Sequence, residues 1–329
     1  MNYPSIFNDV IGPVMRGPSS SHCAASLRIG RICHDLMDGR ISDIEIDFDP
    51  EGSLATTHKD QGSDMGLFGG FLGWEAYDER LVDSEIHLGG AGIKATITIK
   101  ELKEKHPNTY QITLHNPWET HQVIAISTGG GMIEVLEIDG VKVSLAGDCF
   151  LTLVYSSDTQ KLDAYLREAS LPDDLEIHAN DKGILILKSQ AFLDVAYLEE
   201  FKAIEGVISV KQIKPVLPVL TRKNTSVPFI TCDEMFSYNE GKNLSLWQLA
   251  ARYESMRGNI SRAEVFEKMR SIVQIMQNSI DLGLKGTKYA DRILGPQSLG
   301  FQKQLEDKKL VELHTSRHSP SVQAELTGK

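Results

Sequence analysis

The segment with the most pronounced chemical character is Gly17–His22, whose sequence GPSSSH directly precedes a predicted helix. A helix N-terminus offers unpaired backbone N–H groups and the positive end of a dipole, which suit a carboxylate or a phosphate. Ser19, Ser20 and Ser21 add three hydroxyl groups, and His22 can donate to an anion or accept a proton near neutral pH. One serine suffices to cap a helix, so the pattern alone supports simple capping and anion binding about equally. The two additional serines and the histidine favour anion binding.

A second polar loop, His106–Thr109 with the sequence HPNT, lies between a charged segment and a predicted strand. Its imidazole and amide groups can face a substrate, but Pro-Asn is also common in simple turns. A third motif, Gly129–Gly131, connects two predicted strands, and a tight turn is the simpler interpretation of three glycines there.

Several classes of site are absent from the sequence. It contains no GxGxxG, Walker A or GxSxG motif, so nucleotide hydrolysis and α/β-hydrolase chemistry lack support. The four cysteines form no CxxC pair, and Cys23 and Cys33 would lie about 15 Å apart on one helix, too far to ligate one small cluster. The histidines have no metal-ligand spacing. We therefore predict no metal ligand in this chain.

The elements around these motifs follow from hydrophobic periodicity. Ala25, Ile29, Ile32 and Leu36 predict a helix after the serines, and alternating residues predict a strand over 44–48. The next segment, 62–74, has glycines at spacings of four, three and four residues. These are Gly62, Gly66, Gly69 and Gly73. Since a glycine inside a helix costs about 1 kcal/mol relative to alanine, such a ridge is useful only where another backbone passes very close.

The rest of the first 146 residues predicts further strands. Residues 5–10 are a candidate N-terminal strand, and strands over 93–99 and 110–114 are followed by a meander over 123–143. Asp139-Gly140 predicts a two-residue hairpin turn within that meander. The sequence therefore predicts one α+β domain over residues 1–146.

The order of elements then changes. Residues 147–220 predict the βαββαβ order of a ferredoxin-like domain. Residues 221–329 predict a proline-containing linker followed by helices, with capping boxes at Ser245/Gln248 and Ser261/Glu264. The last long helix has an apolar face that requires a partner. Its members are Val265, Met269, Ile272, Met276 and Ile280.

Composition limits the classes of partner. The 329 residues have a formal net charge of −11, which disfavours binding to a nucleic-acid backbone. No stretch approaches the roughly 18 apolar residues of a membrane span, and the N-terminus has no signal-peptide pattern. We expect a cytoplasmic protein with reduced thiols and no membrane partner.

Taken together, GPSSSH, the stretch QGSDMGLFGGFLGW, HPNT and STGGG resemble the β domain of bacterial iron-sulfur-dependent L-serine dehydratase over about residues 4–143. That β domain is similar in fold to the allosteric substrate-binding domain of some phosphoglycerate dehydrogenases. The βαββαβ unit resembles an ACT domain, although the glycine typical of the first strand-helix junction is missing. VPFITCDEMF through LSLWQLAARYE resembles the start of the family's catalytic α domain.

The resemblance implies a function. Family members eliminate water from L-serine, and the product decays to pyruvate and ammonia. It implies His22 as a catalytic residue, with Ser19, Ser20, Ser21, His106, Asn108 and Thr109 binding L-serine or a similar small acid. It also implies a 4Fe-4S cluster in the complete enzyme. Because the resemblance to the α domain ends near residue 300, before the cluster cysteines, we expect those ligands outside this chain, on an α-type subunit. The apolar face of the last helix would then pack against that subunit or a second copy. Gln61 stands where members often have histidine.

Two other interpretations remain open on the sequence. In the first, the chain is a non-catalytic protein that binds an amino or hydroxy acid through its β and ACT-like domains. In the second, it is a truncated product without function. An α-type reading frame beside the gene would favour the split enzyme over both.

Overall fold

A computed structural model describes residues 3–102, 104, 106–168, 176–179, 183–221, 225–286 and 297–307. The end of the predicted C-terminal region 221–329, from residue 308 onward, lies outside these residues. The strands are β1 (Asp43–Phe48), β2 (Lys94–Ile99), β3 (Thr109–His115), β4 (Thr120–Gly129), β5 (Met132–Ile138), β6 (Val141–Leu145), β7 (Phe150–Ser156), β8 (Glu176–Ala179), β9 (Ile184–Ser189) and β10 (Val207–Ile213). The helices are α1 (Ser20–Leu36), α2 (Leu54–Thr57), α3 (Ser63–Phe71), α4 (Ser84–Gly90), α5 (Thr159–Glu168), α6 (Val195–Ala203), α7 (Cys232–Asn239), α8 (Leu246–Gly258), α9 (Arg262–Lys285) and α10 (Ser298–Glu306). The predicted α+β class is confirmed.

The first sheet has six strands in the order β2-β1-β3-β4-β5-β6. β1 pairs with β2 in parallel, and the pairs from β1-β3 to β5-β6 are antiparallel. The strands from β3 to β6 thus form the predicted meander. Asp139 and Gly140 connect β5 to β6 with φ values of 48° and 77°. Two consecutive positive φ values are the signature of a type I′ hairpin turn, so the dipeptide predicted this connection correctly.

Helix α1 lies at the centre of the fold, because every residue from Cys23 to Cys33 is buried. Its close neighbour is α3. A Cβ atom on Gly66 of α3 would lie 2.1 Å from the Cys23 carbonyl oxygen, and one on Gly70 would lie 2.3 Å from that of Leu27. Gly30 of α1 packs equally closely against α3, since a Cβ atom on it would lie 2.6 Å from the Leu67 carbonyl oxygen. The glycines of the 62–74 segment were expected to allow the close approach of another backbone. The contact between α3 and α1 agrees with that expectation.

The glycines that contact α1 are not all the ones that were predicted. Gly66 and Gly70 face α1, whereas a Cβ on Gly69 would meet the side chain of Leu81. Gly62 and Gly73 have φ values of 80° and 76° and lie outside the ends of α3. Helical periodicity explains the difference, because residues four apart share a helix face.

The second sheet has four antiparallel strands in the order β10-β7-β9-β8. With α5 and α6 its element order is βαββαβ. One face of this sheet packs on the first part of the chain, because Leu153, Ile186 and Ile213 belong to the same core cluster as Ile29 and Ile32 of α1. The two sheets therefore share one hydrophobic core around α1.

The predicted N-terminal strand over residues 5–10 is wrong. Ile6–Val10 forms a π-helical turn, and the Ser5 hydroxyl accepts hydrogen bonds from the backbone N–H groups of Phe7 and Asn8. The carboxylate of Glu254 on α8 accepts from the Ser5 hydroxyl at 2.5 Å and from the Ile6 N–H at 2.7 Å. A partner almost 250 residues away thus holds this segment against the C-terminal helices.

The C-terminal helices begin at the predicted N-cap residues, with a full capping box at Ser245 and only the hydroxyl half of one at Ser261. The Gln248 side chain accepts from the Ser245 N–H at the start of α8, and the Ser261 hydroxyl accepts from the Glu264 N–H at the start of α9. The apolar face of α9 divides into two halves. Val265, Met269 and Ile272 pack in a cluster with Phe7 and other residues of this chain. Further along α9, Val273, Met276 and Leu282 are each more than half exposed.

A polar network joins the two sheets. His121 Nδ1 of β4 lies 2.7 Å from Asp139 Oδ2, and the Tyr155 hydroxyl of β7 donates to the same oxygen at 2.6 Å. The buried Lys211 of β10 pairs with Glu119 beside them at 2.7 Å. Burial opposes the charging of His121, but the hydrogen bond and charge of Asp139, with Glu119, outweigh burial and raise the pKa of His121. The protonated imidazole therefore stabilises this junction.

We predict a pH-dependent loss of stability for His121→Gln. A raised folded-state pKa gives stability that is full below the unfolded-state pKa of about 6.5 and disappears as pH rises through the folded-state pKa. The variant should lose about 1.5–3 kcal/mol near pH 5.5, the value of a charged hydrogen bond, and less near pH 9. Urea unfolding at both pH values measures this. Tyr155→Phe, which removes a neutral donor, should lose a similar amount at both; equal losses for His121→Gln would refute the prediction.

Within the described residues, none of the helices is both long enough and apolar enough to cross a lipid bilayer.

Candidate functional site

The predicted serine segment lies where expected, at the start of α1. Ser19 is the N-cap residue with extended backbone angles, but its hydroxyl does not cap the helix. Instead Ser19 Oγ lies 2.8 Å from His22 Nδ1. The hydroxyls of Ser20 and Ser21 have no hydrogen bond within the described part of the chain, and Ser19–His22 are all half-buried. Simple capping therefore does not account for the three serines, and the N–H groups of Ser20 and Ser21 have no acceptor among the described residues.

The loop before α1 rests on a second segment, residues 57–65. The Ser19 N–H donates to the Gln61 carbonyl oxygen at 3.2 Å. A Cβ atom on Gly62 would lie 2.8 Å from Pro18 Cδ, so a side chain there would push the loop away. Gln61 Oε1 is buried without a hydrogen-bond partner among the described residues. A buried amide oxygen without a donor is unusual in a folded protein, which makes Gln61 a further candidate residue of this region.

The same segment holds a histidine–carboxyl pair that the sequence analysis missed. His58 Nδ1 lies 2.7 Å from Asp64 Oδ1 and 2.8 Å from Oδ2, and the two side chains are about 22% and 15% exposed. Burial raises the pKa of Asp64, while the hydrogen bond and charge of His58 partly offset this rise. A carboxylate bonded to Nδ1 fixes the ring orientation, as in carboxylate-histidine pairs that move protons. Asp64 belongs to the QGSDMG motif, so a histidine six residues before it was the available signal.

In the His106–Thr109 loop the polar groups bond mainly to the protein itself. Asn108 Oδ1 accepts from the Ser53 N–H at 3.2 Å and from its hydroxyl at 2.9 Å. Thr109 is fully buried and donates to the His106 carbonyl oxygen. The Asn108 N–H donates to His106 Nδ1 at 3.2 Å, which places the proton of the neutral ring on Nε2. Asn108 and Thr109 thus shape the loop, and His106, half-buried, is its remaining polar group.

Both predicted loops contact the segment between β1 and α3. Asn108 bonds to Ser53 near its start, and Ser19 bonds to Gln61 near its end. Tyr110, directly after the second loop, also reaches α1, where its hydroxyl lies 2.9 Å from Ser26 Oγ. Ser26 is six residues into α1, about 9 Å along its axis. The structure therefore brings the two loops to neighbouring positions around residues 53–64.

Phe48 supports this region from β1. Its ring centroid lies 5.4 Å from the ring of His58 and 5.4 Å from that of Tyr110. Burial raises the pKa of Tyr110 to about 12, and the hydrogen bond with Ser26 lowers it only in part. Tyr110 stays neutral at physiological pH and acts as a rigid spacer behind the two loops.

The glycine motif forms a turn. Gly129, Gly130 and Gly131 all have positive φ and connect β4 to β5. A Cβ on Gly131 would lie 2.8 Å from the Met15 sulfur, whereas nothing lies within 4 Å of such an atom on Gly129 or Gly130. The Gly131 carbonyl accepts a hydrogen bond from Arg28 of α1. The motif therefore anchors the sheet to α1, in agreement with the turn interpretation.

The cysteines do not fit an iron-sulfur cluster. Cys23 and Cys33 are fully buried on α1, where about 15 Å of helix separates them, too far to ligate one small cluster. Burial raises the pKa of Cys23 to about 12 and also raises that of Cys33. Cys149 is half-buried and Cys232 is exposed at the start of α7. The described ranges contain no group of three or more His, Cys, Asp or Glu side chains able to hold a metal ion.

Comparison with known proteins gives the family. No protein-family model matches the chain. The chain is 37% identical over 158 residues to "Probable L-serine dehydratase, beta chain" from Bacillus subtilis (strain 168), covering 48% of this chain and 70% of that protein. It is 32% identical over 160 residues to "L-serine dehydratase, beta chain" from Peptoniphilus asaccharolyticus, covering 48% of this chain and 71% of that protein. On this similarity, the chain belongs to the family of L-serine dehydratase beta chains.

Proposed function

We propose that this chain is the β component of an enzyme that eliminates water from L-serine, releasing pyruvate and ammonia. The two relatives are named as beta chains of L-serine dehydratase, which supports this activity and an α-type partner. The observation that carries the proposal is the start of α1, where Ser19 positions His22 instead of capping the helix. A non-catalytic binding protein is not favoured by these names.

In the proposed site each group has a role. The N–H groups of the first turn of α1, with the Ser20 and Ser21 hydroxyls, bind the substrate carboxylate. Ser19 fixes the ring of His22, which carries a proton during the elimination. His106 borders the substrate from the second loop, while Asn108 and Thr109 hold that loop in place. The His58–Asp64 pair supplies a second oriented imidazole next to the Gln61 amide.

A 4Fe-4S cluster, which acts as a Lewis acid in this family, does not fit the cysteines of the described residues. We propose that its ligands belong to the α-type chain. The β component then contributes carboxylate binding and proton handling, and the partner contributes the metal centre.

The second sheet supports an ACT-like assignment. Its βαββαβ order and the strand order β10-β7-β9-β8 match a ferredoxin-like plan, in which the fourth, first, third and second strands are neighbours. We propose that it is an ACT-like module. Because it shares a core with α1, it also supports the helix that carries the proposed site.

The surface of α7–α9 fits an apolar partner. Phe236, Leu246 and Trp247 are 60–70% exposed, and Val273 and Met276 of α9 are more than half exposed. Large exposed apolar side chains in this number, when they lie together, mark protein interaction sites in soluble proteins. We propose that the α-type chain packs here.

A test of the partner uses coexpression of this chain with an L-serine dehydratase α chain, followed by gel filtration. We expect the two chains to elute together. Val273→Asp with Met276→Asp places two charges on the proposed interface and should abolish coelution, because each buried unpaired charge costs several kcal/mol. Gln274→Asp with Asn278→Glu, on exposed polar positions of the same helix, is the matched control. Failure of the unmodified chains to coelute would refute the assembly.

A further inference from the structure

A cavity of about 420 Å³ lies at the junction between the first part of the chain and the C-terminal helices. Its wall is formed by the loop over residues 12–14, by α1, by residues 75–77, by the segment 215–218 and by α9. None of the predicted site residues contributes to this wall. The volume falls within the range of small-molecule binding sites, so the cavity is large enough for a metabolite-sized ligand.

Positive side chains dominate the polar part of the wall. Arg28, Arg31 and Lys268 line the cavity, and among the described residues Glu75 is the one acidic side chain in its lining. Arg28 is 2% exposed, and burial lowers its pKa to about 10, so it stays charged at neutral pH. Two buried guanidinium groups and a lysine around one carboxylate leave an excess of positive charge in a chain whose formal net charge is −11.

The protein satisfies these cations incompletely. Arg28 donates through Nη1 to the Gly131 carbonyl oxygen. Arg31 Nη1 donates to Glu75 Oε1 at 2.5 Å and to the Trp74 carbonyl oxygen at 3.3 Å. Lys268 Nζ donates to the Pro218 carbonyl oxygen at 3.2 Å. Arg31 Nε is buried without a hydrogen-bond partner in the described part of the chain. The Glu75 side chain is 54% exposed, so it only partly balances the charge of Arg31, and a cavity wall with this excess of positive charge favours an anion.

The rest of the wall is apolar. Phe7, Val14, Leu217 and Ile272 line it together with prolines of the two loops. Inorganic phosphate would leave these surfaces without contact, whereas a carboxylate on an apolar body would satisfy both parts of the wall. L-serine has no apolar body of this size, so the wall chemistry differs from that of the proposed active site.

We propose that this cavity is a second binding site, for a small organic carboxylate whose charged head meets Arg31 and Arg28 and whose apolar body meets Phe7 and Ile272. A bound carboxylate would contact both the loop over residues 12–14 and α9. The loop leads into Ser19 of the proposed active site, and α9 carries the proposed partner surface. The site thus connects the two functional regions of the chain, and its existence does not depend on the proposed reaction.

Isothermal titration with benzoate tests the site, with benzamide as the uncharged analogue of the same shape. We expect one benzoate per chain with a dissociation constant below about 1 mM, and at least tenfold weaker binding of benzamide. Arg31→Gln should weaken benzoate binding about tenfold or more. Ser271→Trp, which fills the cavity from the exposed side of α9 and keeps every cationic residue, should abolish it. Asn278→Trp, elsewhere on α9, is the matched control and should bind normally.

Three results would overturn the proposal. These are no saturable benzoate binding up to about 10 mM, equal affinity for benzamide, and binding unchanged by Ser271→Trp. Because Ser271→Trp leaves both arginines in place, it remains informative if Arg31→Gln fails to fold. Loss of L-serine turnover is not part of this test, so its outcome is separate from that of the proposed function.

Discussion

Replacing His22 by asparagine should reduce L-serine turnover by the complete enzyme about 10²–10⁴-fold, the usual contribution of a general acid or base. Asparagine retains a polar group near Ser19 Oγ but cannot carry a proton. His22 is half-buried at the first turn of α1, outside the fully buried stretch that begins at Cys23, so the melting temperature should change little. Steady-state kinetics of the variant combined with an α chain measure this effect.

Ser19→Ala separates positioning from chemistry. It removes the 2.8 Å contact to His22 Nδ1 and leaves the imidazole in place. We expect a smaller loss of kcat than for His22→Asn, together with a displaced pH profile, because the ring loses the partner that sets its tautomer. A fully active His22→Asn enzyme would remove His22 from the proposed mechanism.

Replacing Gly66 by alanine should destabilise the fold by about 3 kcal/mol or more, at the upper end of the effect of overpacking. The added Cβ would lie 2.1 Å from the Cys23 carbonyl oxygen and 2.9 Å from its carbonyl carbon. Both atoms are backbone, so no flexible side chain can move aside, and α1 must shift away from α3. Urea unfolding monitored by circular dichroism measures the loss.

Gly89→Ala is the matched control for this substitution. Gly89 also lies in a helix, α4, and nothing lies within 4 Å of a Cβ there. In open space the change from glycine to alanine should stabilise by up to about 1 kcal/mol through helix propensity. Similar effects at Gly66 and Gly89 would mean that α1 and α3 do not approach as closely as described.

Local patterns predicted most of the fold. Alternation in β1 and β2, the Asp139-Gly140 turn and the helical spacing in α1 depend on neighbours in the sequence, and each of these elements was predicted correctly. The turn at residues 6–10 was not predicted, because it depends on a hydrogen bond to Glu254, which is distant in the sequence. Likewise, the sequence could not show that Gly70 faces α1 while Gly73 lies beyond α3, because that depends on where the helix ends.

The residues of the proposed site differ in how far the sequence points to them. Ser19–Ser21 and His22 are adjacent in sequence, so their residue types alone made them candidates. His58 was missed because its importance comes from Asp64 and from packing on Phe48, neither of which is visible as a motif. The wall of the cationic cavity comes from segments that are far apart in the sequence, so only the tertiary structure assembles it.

The most direct test of the central claim is pyruvate formation from L-serine, measured anaerobically with iron and sulfide for this chain alone, for an L-serine dehydratase α chain alone, and for both together. Our account predicts substantial turnover for the mixture, and none for this chain alone. Turnover by this chain alone, or an α chain equally active without it, would contradict the account.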